Sequence, residues 1–306
     1  MAFLREGILW LAGQSWVTRP IARTGMTLGF ARRFIAGETL DDALRAASEL
    51  NAKGMKVVLN QLGENVHERA EAEASCATYV RILNEIRRAG IDGLVTIKPT
   101  QLGLEFAPDL CLSLACRIAD EAERLGNFVE MDMEHSTVCE ATVRLFEQVR
   151  AKHANVGLAV QSYLRRTASD LERLKPMHPK IRLVKGAYQE PADVAFPEKP
   201  KVDESYRELM RTLFEDGFMP AIATHDESLL AEAKSLAKRR GLAPSAWEVQ
   251  MLLGVRRDLQ EALVREGVTM RVYVTFGTQW VPYFMRRLAE RPANVGFVVK
   301  SLLKGR

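Results

Sequence analysis

From Gly54 onward the chain alternates short apolar runs with longer stretches whose apolar residues recur three and four apart. The runs are MKVVLN at 55–60, LVTIK at 94–98, FVEMD at 128–132, VGLAVQ at 156–161, IRLVK at 181–185, PAIAT at 220–224, WEVQM at 247–251 and MRVYVT at 270–275. Five or six residues rich in Val and Ile is strand length, and the spacing between the runs is that of amphipathic helices. Successive runs start roughly 23 to 40 residues apart, the span of one β-α unit. Eight such units in about 250 residues predict an α/β fold of the (βα)8 TIM-barrel type. The alternative is a doubly wound sheet, but neither G-x-G-x-x-G nor G-x-x-x-x-G-K-[ST] occurs.

The pattern before Gly54 is helical, which divides the chain into an N-terminal helical segment, residues 1–53, and a barrel domain, residues 54–306. Residues 3–36 read as two helices broken near Arg19-Pro20, the second carrying Arg23, Arg32 and Arg33 beside Leu28, Phe30 and Phe34. Such a segment either packs on the domain or lies peripherally on a membrane surface. Thr39-Leu-Asp-Asp42 opens a further helix with a good N-cap and an acidic first turn. Thr167-Ala-Ser-Asp170 reads as a capping-box start, and Asp226 as the cap of the helix after the sixth run. Residues 191–202, charged and Pro-rich, read as a flexible loop after the fifth run.

Composition narrows the class. The 306 residues are 47% hydrophobic and 27% charged, with 43 basic and 39 acidic side chains. A net charge of +4 without basic tracts interleaved with aromatics gives no reason to expect nucleic acid. Cys76, Cys111, Cys116 and Cys139 form no C-x-x-C pair and fall in helical patterns, which predicts reduced structural thiols in a cytoplasmic protein. No run of about 18 uncharged apolar residues predicts a membrane span, and residues 1–13 lack the basic leader and cleavage site of a signal peptide.

The runs end in polar residues: Asn60, Lys98, Asp132, Gln161, Lys185, Thr224 with His225, and Gln250, with Tyr273 just inside the last. In a (βα)8 barrel these positions share the C-terminal mouth, where active sites lie. Lys98, Lys185 and Arg182 are expected to face Asp132, with Glu130 or Glu134 nearby, and the excess of positive charge suits an anionic ligand. A lysine with a lowered pKa could form a Schiff base, as in aldolases. Alternatively the cations hold a cofactor's phosphates and a substrate carboxylate, or the barrel binds a carboxylate without turnover. No metal cluster is expected; His135 and His225, the histidines near the mouth, read as hydrogen-bond donors, or otherwise as hydrogen-bonding groups.

Taken together, TIKPTQLG at 96–103, VEMDME at 129–134, AVQSYL at 159–164, RLVKGAY at 182–188, ATHD at 223–226 and YFMRRLAE at 283–290 resemble the motifs of proline dehydrogenases, in the family's order and at matching strand ends. The resemblance spans about residues 54–297 and is to the monofunctional bacterial form. It implies a distorted barrel with noncovalent FAD, oxidising L-proline to Δ1-pyrroline-5-carboxylate and passing electrons to a membrane quinone. This is the first step of proline catabolism, in the cytoplasm or peripherally at the inner face of the cell membrane. Only the resemblance distinguishes FAD from FMN. It implies that Lys98, Arg286 and Arg287 pair with the proline carboxylate, that Asp132 and Arg182 form the catalytic pair near the flavin, and that Tyr273 and Leu252 pack on the proline ring. Met133, Gln161, Lys185, Gly186, Ala187, Thr224 and His225 would contact FAD, and Glu290 would support the arginines. Asn60 departs from the acidic residue expected there, and Gln189 stands where some relatives place an aromatic.

The adjacent pair Arg286-Arg287 carries a further expectation. Alone it reads as a solvated basic face, because neighbours on a helix diverge by about 100°. For both to reach one carboxylate, the helix after the eighth run must leave the outer ring and lie over the mouth.

Overall fold

A computed structural model of the chain describes residues 31–63, 66–281 and 283–284. The expected arginine pair, Glu290 and most of the two helices expected over residues 3–36 lie outside the described residues; at the end of that stretch only Ala31–Arg33 is helical, a single 3-10 turn. Eight strands form one closed parallel barrel in sequence order: β1 Lys56–Gln61, β2 Gly93–Ile97, β3 Val129–Met131, β4 Val156–Gln161, β5 Lys180–Val184, β6 Met219–Ala223, β7 Glu248–Leu252 and β8 Met270–Phe276. Every apolar run becomes a strand. Closure is made by β1 against β8, in register from Lys56 with Arg271 to Gln61 with Phe276.

The helices are α1 Leu40–Asn51, α2 Arg69–Arg88, α3 Pro108–Arg124, α4 Ser136–Arg150, α5 Thr167–Leu174, α6 Lys199–Glu215, α7 Glu227–Arg239 and α8 Arg257–Arg265. The apolar core lies between them and the outward faces of the strands, where Val57, Leu59, Val95, Ile97, Leu158, Ile181, Leu183, Val249, Val272 and Val274 are fully buried or nearly so. The four cysteines are free; all sit on helices, and Cys76, Cys111 and Cys139 are buried.

Helix α1 precedes β1 yet belongs to the outer ring. The Thr39 hydroxyl accepts from the Asp42 amide, and the Asp42 carboxylate accepts from the Thr39 amide, a complete capping box. Its buried face, Leu40, Ala43, Leu44 and Ala47, packs against β1 and β8. This is the groove in which the helix following β8 would sit in a regular barrel.

The N-terminal approach to α1 is packed as well. Phe34 and Ile35 are buried, Phe34 lies 6.3 Å from Phe284, and the Ala36 amide donates to the Thr275 carbonyl at 2.9 Å. Phe34 is thus committed to the domain rather than to a membrane surface.

Two other local expectations change. Thr167 does not cap α5: Arg166 holds the cap position, and the Thr167 hydroxyl donates to the Gln161 carbonyl at 2.6 Å, tying the helix to the end of β4. The loop after β5 ends before Lys199, where α6 begins, so Val202 is helical. What remains is pinned to the β4–α5 connection. The Arg165 amide donates to Val194, the Phe196 amide to Tyr163, Leu164 bridges Ala195, and the Arg165 guanidinium lies 4.5 Å above the Phe196 ring. Asp226 does cap α7, accepting from the Ser228 amide at 3.1 Å.

Candidate active site

The barrel interior is polar. Register places Thr96, Glu130, Arg182, Glu248, Gln250, Arg271, Tyr273 and Thr275 on the inward face, and contacts across the barrel confirm it. Two layers result.

The upper layer is built around Asp132, just beyond β3. Its Oδ2 accepts from Lys98 Nζ at 2.8 Å and from the Tyr273 hydroxyl at 2.9 Å. Its Oδ1 accepts from the Thr96 hydroxyl at 3.1 Å and from Arg182 Nη2, which also reaches Thr96 at 3.2 Å. The Arg182 guanidinium lies 5.3 Å from the Tyr273 ring centroid. Strands β2, β5 and β8 thus bring four polar side chains, two of them from β2 and its end, to the one carboxylate that follows β3. Burial pushes the Asp132 pKa up, but the charges of Lys98 and Arg182 outweigh it and hold the carboxyl at about 2. Burial likewise opposes the Lys98 charge, and Asp132 outweighs it, so the ammonium is held well above its ordinary range. A lysine so firmly protonated is a poor Schiff-base nucleophile.

The lower layer is a buried ionic network. Lys180 Nζ lies 2.8 Å from Glu130 and 2.7 Å from Glu248, and Arg271 pairs with Glu248 at 2.9 Å. Gln250 Nε2 donates to Glu130 at 2.8 Å and to Glu248 at 2.7 Å. Arg182 joins the layers: its Nη1 lies 3.0 Å from Glu130 Oε2, an ionic contact rather than an aligned hydrogen bond. Burial opposes the Arg182 charge, but Asp132 and Glu130 prevail and raise its pKa. Gln250, expected at the rim, belongs to this deeper layer.

Lys185 is placed differently from expectation. It does not face Asp132; it pairs with Asp203 on α6 at 2.6 Å and with Asp226 at 3.2 Å. The three lysines and arginines expected to leave the mouth positive each have a carboxylate, and the two layers hold four cations against three carboxylates. The surplus in the described part of the mouth is therefore small.

On the β4–β6 side the remaining expected residues form a second group. Gln161 donates both amide hydrogens, to the Met133 and Glu134 carbonyls at 2.9 Å each, and its buried Oε1 has no partner. The buried Tyr163 hydroxyl also lacks one. Gly186, at φ 111°, presses its backbone against the Tyr163 ring so closely that a Cβ would sit 2.3 Å from it. The Thr224 hydroxyl accepts from the Asp226 amide, and His225 Nε2 accepts from the Leu252 amide at 3.1 Å. Leu252 pairs in register with Tyr273, so the two stand side by side at the rim. Asn60 is buried, and its Oδ1 is unpartnered. No group of metal-binding side chains occurs among the described residues.

The reading of strand ends missed Thr96, Lys180, Glu248 and Arg271. Each is a polar residue at an inward position within or at the start of a strand, where alternation alone could have marked it.

Comparison with known proteins places this geometry. The family model described as proline dehydrogenase matches residues 43–300. The chain belongs to the proline dehydrogenase family. Membership makes it an oxidoreductase of proline catabolism. It is 36% identical over 304 residues to proline dehydrogenase 2 of Bacillus subtilis subsp. natto, covering 99% of this chain and 100% of that one. It is 38% identical over 306 residues to the proline dehydrogenase of Deinococcus radiodurans, covering 98% of each. Among solved structures, proline utilization A (PutA) from Bdellovibrio bacteriovorus, inactivated by N-propargylglycine, shares the fold with a TM-score of 0.80 at 24% identity. That match covers 85% of this chain and 32% of the PutA chain. The barrel found here is the fold shared with that structure, and the family is the one that the sequence resembled.

Proposed function

We propose that the protein oxidises L-proline to Δ1-pyrroline-5-carboxylate with noncovalent FAD, the electrons passing on to a membrane quinone. The observation that carries this reading is the convergence of Lys98, Arg182, Tyr273 and Thr96 on Asp132 at the mouth. Asp132 orients the groups around it. Lys98 gives one of its three hydrogens to Asp132 and keeps two for the proline carboxylate. Tyr273 and Leu252 offer an apolar wall to the ring, and the Tyr273 hydroxyl is anchored away from it. Holding ring carbon and acceptor in line is most of the catalytic task.

The β4–β6 group suits the cofactor. Gln161 Oε1 and the Tyr163 hydroxyl are buried acceptors in want of a donor, and the Gly186 backbone is bare of any side chain. Met133, Lys185, Ala187, Thr224 and His225 flank them. When bound there, FAD would supply the acceptor for the hydride from the carbon next to the ring nitrogen. Arg182 is the cation nearest the reacting face in this reading.

Arg286 and Arg287 would complete the carboxylate site, with Glu290 behind them. The packing of α1 supports that placement: it fills the outer groove of β8 and β1, which leaves the segment after β8 the top of the barrel to cover. The division into a segment at 1–53 and a catalytic barrel at 54–306 then runs through one ring, since α1 of the first packs on the strands of the second. We also take residues 1–30 as a peripheral contact with the membrane that holds the quinone; no described helix is long and apolar enough to cross it.

Purified protein is expected to be yellow, with a flavin band that L-proline bleaches. A colourless folded protein trapped by borohydride with a carbonyl substrate would favour an aldolase, and binding without turnover a carboxylate receptor. Arg286→Lys should raise KM for proline while flavin stays bound, because the bidentate fork is lost; an unchanged KM would remove Arg286 from the site. Deleting residues 1–30 should reduce binding to vesicles but not dye-linked turnover. The deletion stops short of Phe34 because that residue is core.

A further inference from the structure

The lower ionic layer is costly to bury, and among the described residues its ion pairs reach the upper layer through Arg182. Glu130 is 1% exposed, Lys180 and Glu248 are 5% and 2% exposed, and Arg271 is 7% exposed. Ion pairs at such depth seldom stabilise a fold more than apolar residues of the same volume would. Within the layer, Lys180 and Arg271 bracket Glu248, while Glu130 is held by Lys180 and Gln250 on one side and faces Arg182 on the other. Arg182 is thus shared between a carboxylate above, Asp132, and one below, Glu130.

We propose that Glu130 is a positioning residue of the reaction: it draws the Arg182 guanidinium down and takes part of its charge, and so sets how much positive charge Arg182 presents to the flavin. The inference rests on the flavin reading above. A fixed cation near the reacting face favours the negative charge that reduction places on the flavin. A carboxylate 3.0 Å from that cation cancels part of its field, and does so strongly where water is excluded. Gln250 and Lys180 keep Glu130 from swinging away, since the amide and the ammonium both bind Oε1 and leave Oε2 toward Arg182. Glu248, tied to Lys180 and Arg271, lacks any direct contact with Arg182 among the described residues.

The test is the flavin midpoint potential, which a merely structural role would leave in place. Glu130→Gln keeps the shape and one oxygen to accept from Lys180 and Gln250 but removes the charge facing Arg182, so the potential should shift to more positive values. Glu248→Gln removes a charge from the same layer and should shift it less. Where Glu130→Gln yields no folded protein, Glu130→Asp carries the test: the carboxylate is withdrawn from Arg182, and a smaller shift in the same direction is expected. An unchanged potential in the Glu130 variant that folds, or a Glu248→Gln shift as large as that of Glu130→Gln, overturns the proposal. Wild-type protein that binds no flavin overturns the flavin reading and this proposal with it, whereas flavin-loaded wild type with unresponsive variants overturns only the proposal.

Discussion

Asp132 shows how a single residue couples charge to stability. Its carboxyl is held at about 2 in the folded protein, below the ordinary range near 4. A depressed folded pKa contributes stability that is complete above the unfolded value and lost as pH falls through the folded one. The loss is expected between about pH 4 and pH 2, and a shift of this size corresponds to roughly 2–3 kcal/mol. Asp132→Asn should flatten that part of the stability curve, as read by denaturant unfolding across the acid range. Gly186 is a second residue with a sharp expectation. Its φ of 111° and the Tyr163 ring at 2.3 Å from a built Cβ make Gly186→Ala strained twice over. The backbone alone should cost about 1–3 kcal/mol, measurable by thermal unfolding, and displacement of Tyr163 should weaken flavin retention. The sequence marked Lys98 and Asp132 as ends of runs, Tyr273 as just inside one, and Arg182 by its charge and by the family resemblance. It did not mark which partner each would choose: Lys185 looks equivalent to Lys98 on paper, yet it turns to Asp203 and Asp226 because α6 and α7 bring carboxylates to its side of the rim.

At the scale of elements, α1 matters most. Its capping box and apolar face were legible in the sequence, since both depend on residues three and four apart. Thr39→Ala should cost about 1 kcal/mol through the lost cap, and a thermal scan would register it. Ala47, fully buried where α1 meets the barrel, leaves no room for more volume. Ala47→Leu should therefore destabilise by about 1–3 kcal/mol; an unchanged unfolding midpoint would show that α1 is not pressed into the β8–β1 groove. The start of α5 was misread for an instructive reason. Thr167-Ala-Ser-Asp170 has the residues of a capping box, but the Thr167 hydroxyl finds the Gln161 carbonyl at the end of β4 instead. A local motif yields when a neighbouring strand end offers a buried acceptor.

At the scale of the molecule, the unusual feature is a barrel whose inside is ionic while its outside is apolar. Charged side chains from β3, β5, β7 and β8 meet below the mouth and brace the strands against one another. Removing one partner strands the others in a dry interior, so Lys180→Met is expected to cost about 3–5 kcal/mol. Added salt should not reproduce the effect, because buried pairs are poorly screened. Equilibrium unfolding at low and high ionic strength checks both statements.

What the sequence determined by itself was the succession of elements. Each strand run and each helical period is written in residues within a few positions of one another, so all eight strands, the cap on α1 and the cap at Asp226 could be read directly. The mouth could be named as well, because a closed parallel barrel puts every strand's C-terminal end on one rim. Only the tertiary structure decided the pairings. Glu130 lies 120 residues from Gln250, and Asp132 lies 141 residues from Tyr273. Such contacts depend on barrel stagger, on which side chains share a level, and on which helix brings a competing carboxylate. Tertiary packing also gave α1 the ring position between β8 and β1, a consequence of closure that periodicity along the chain does not encode.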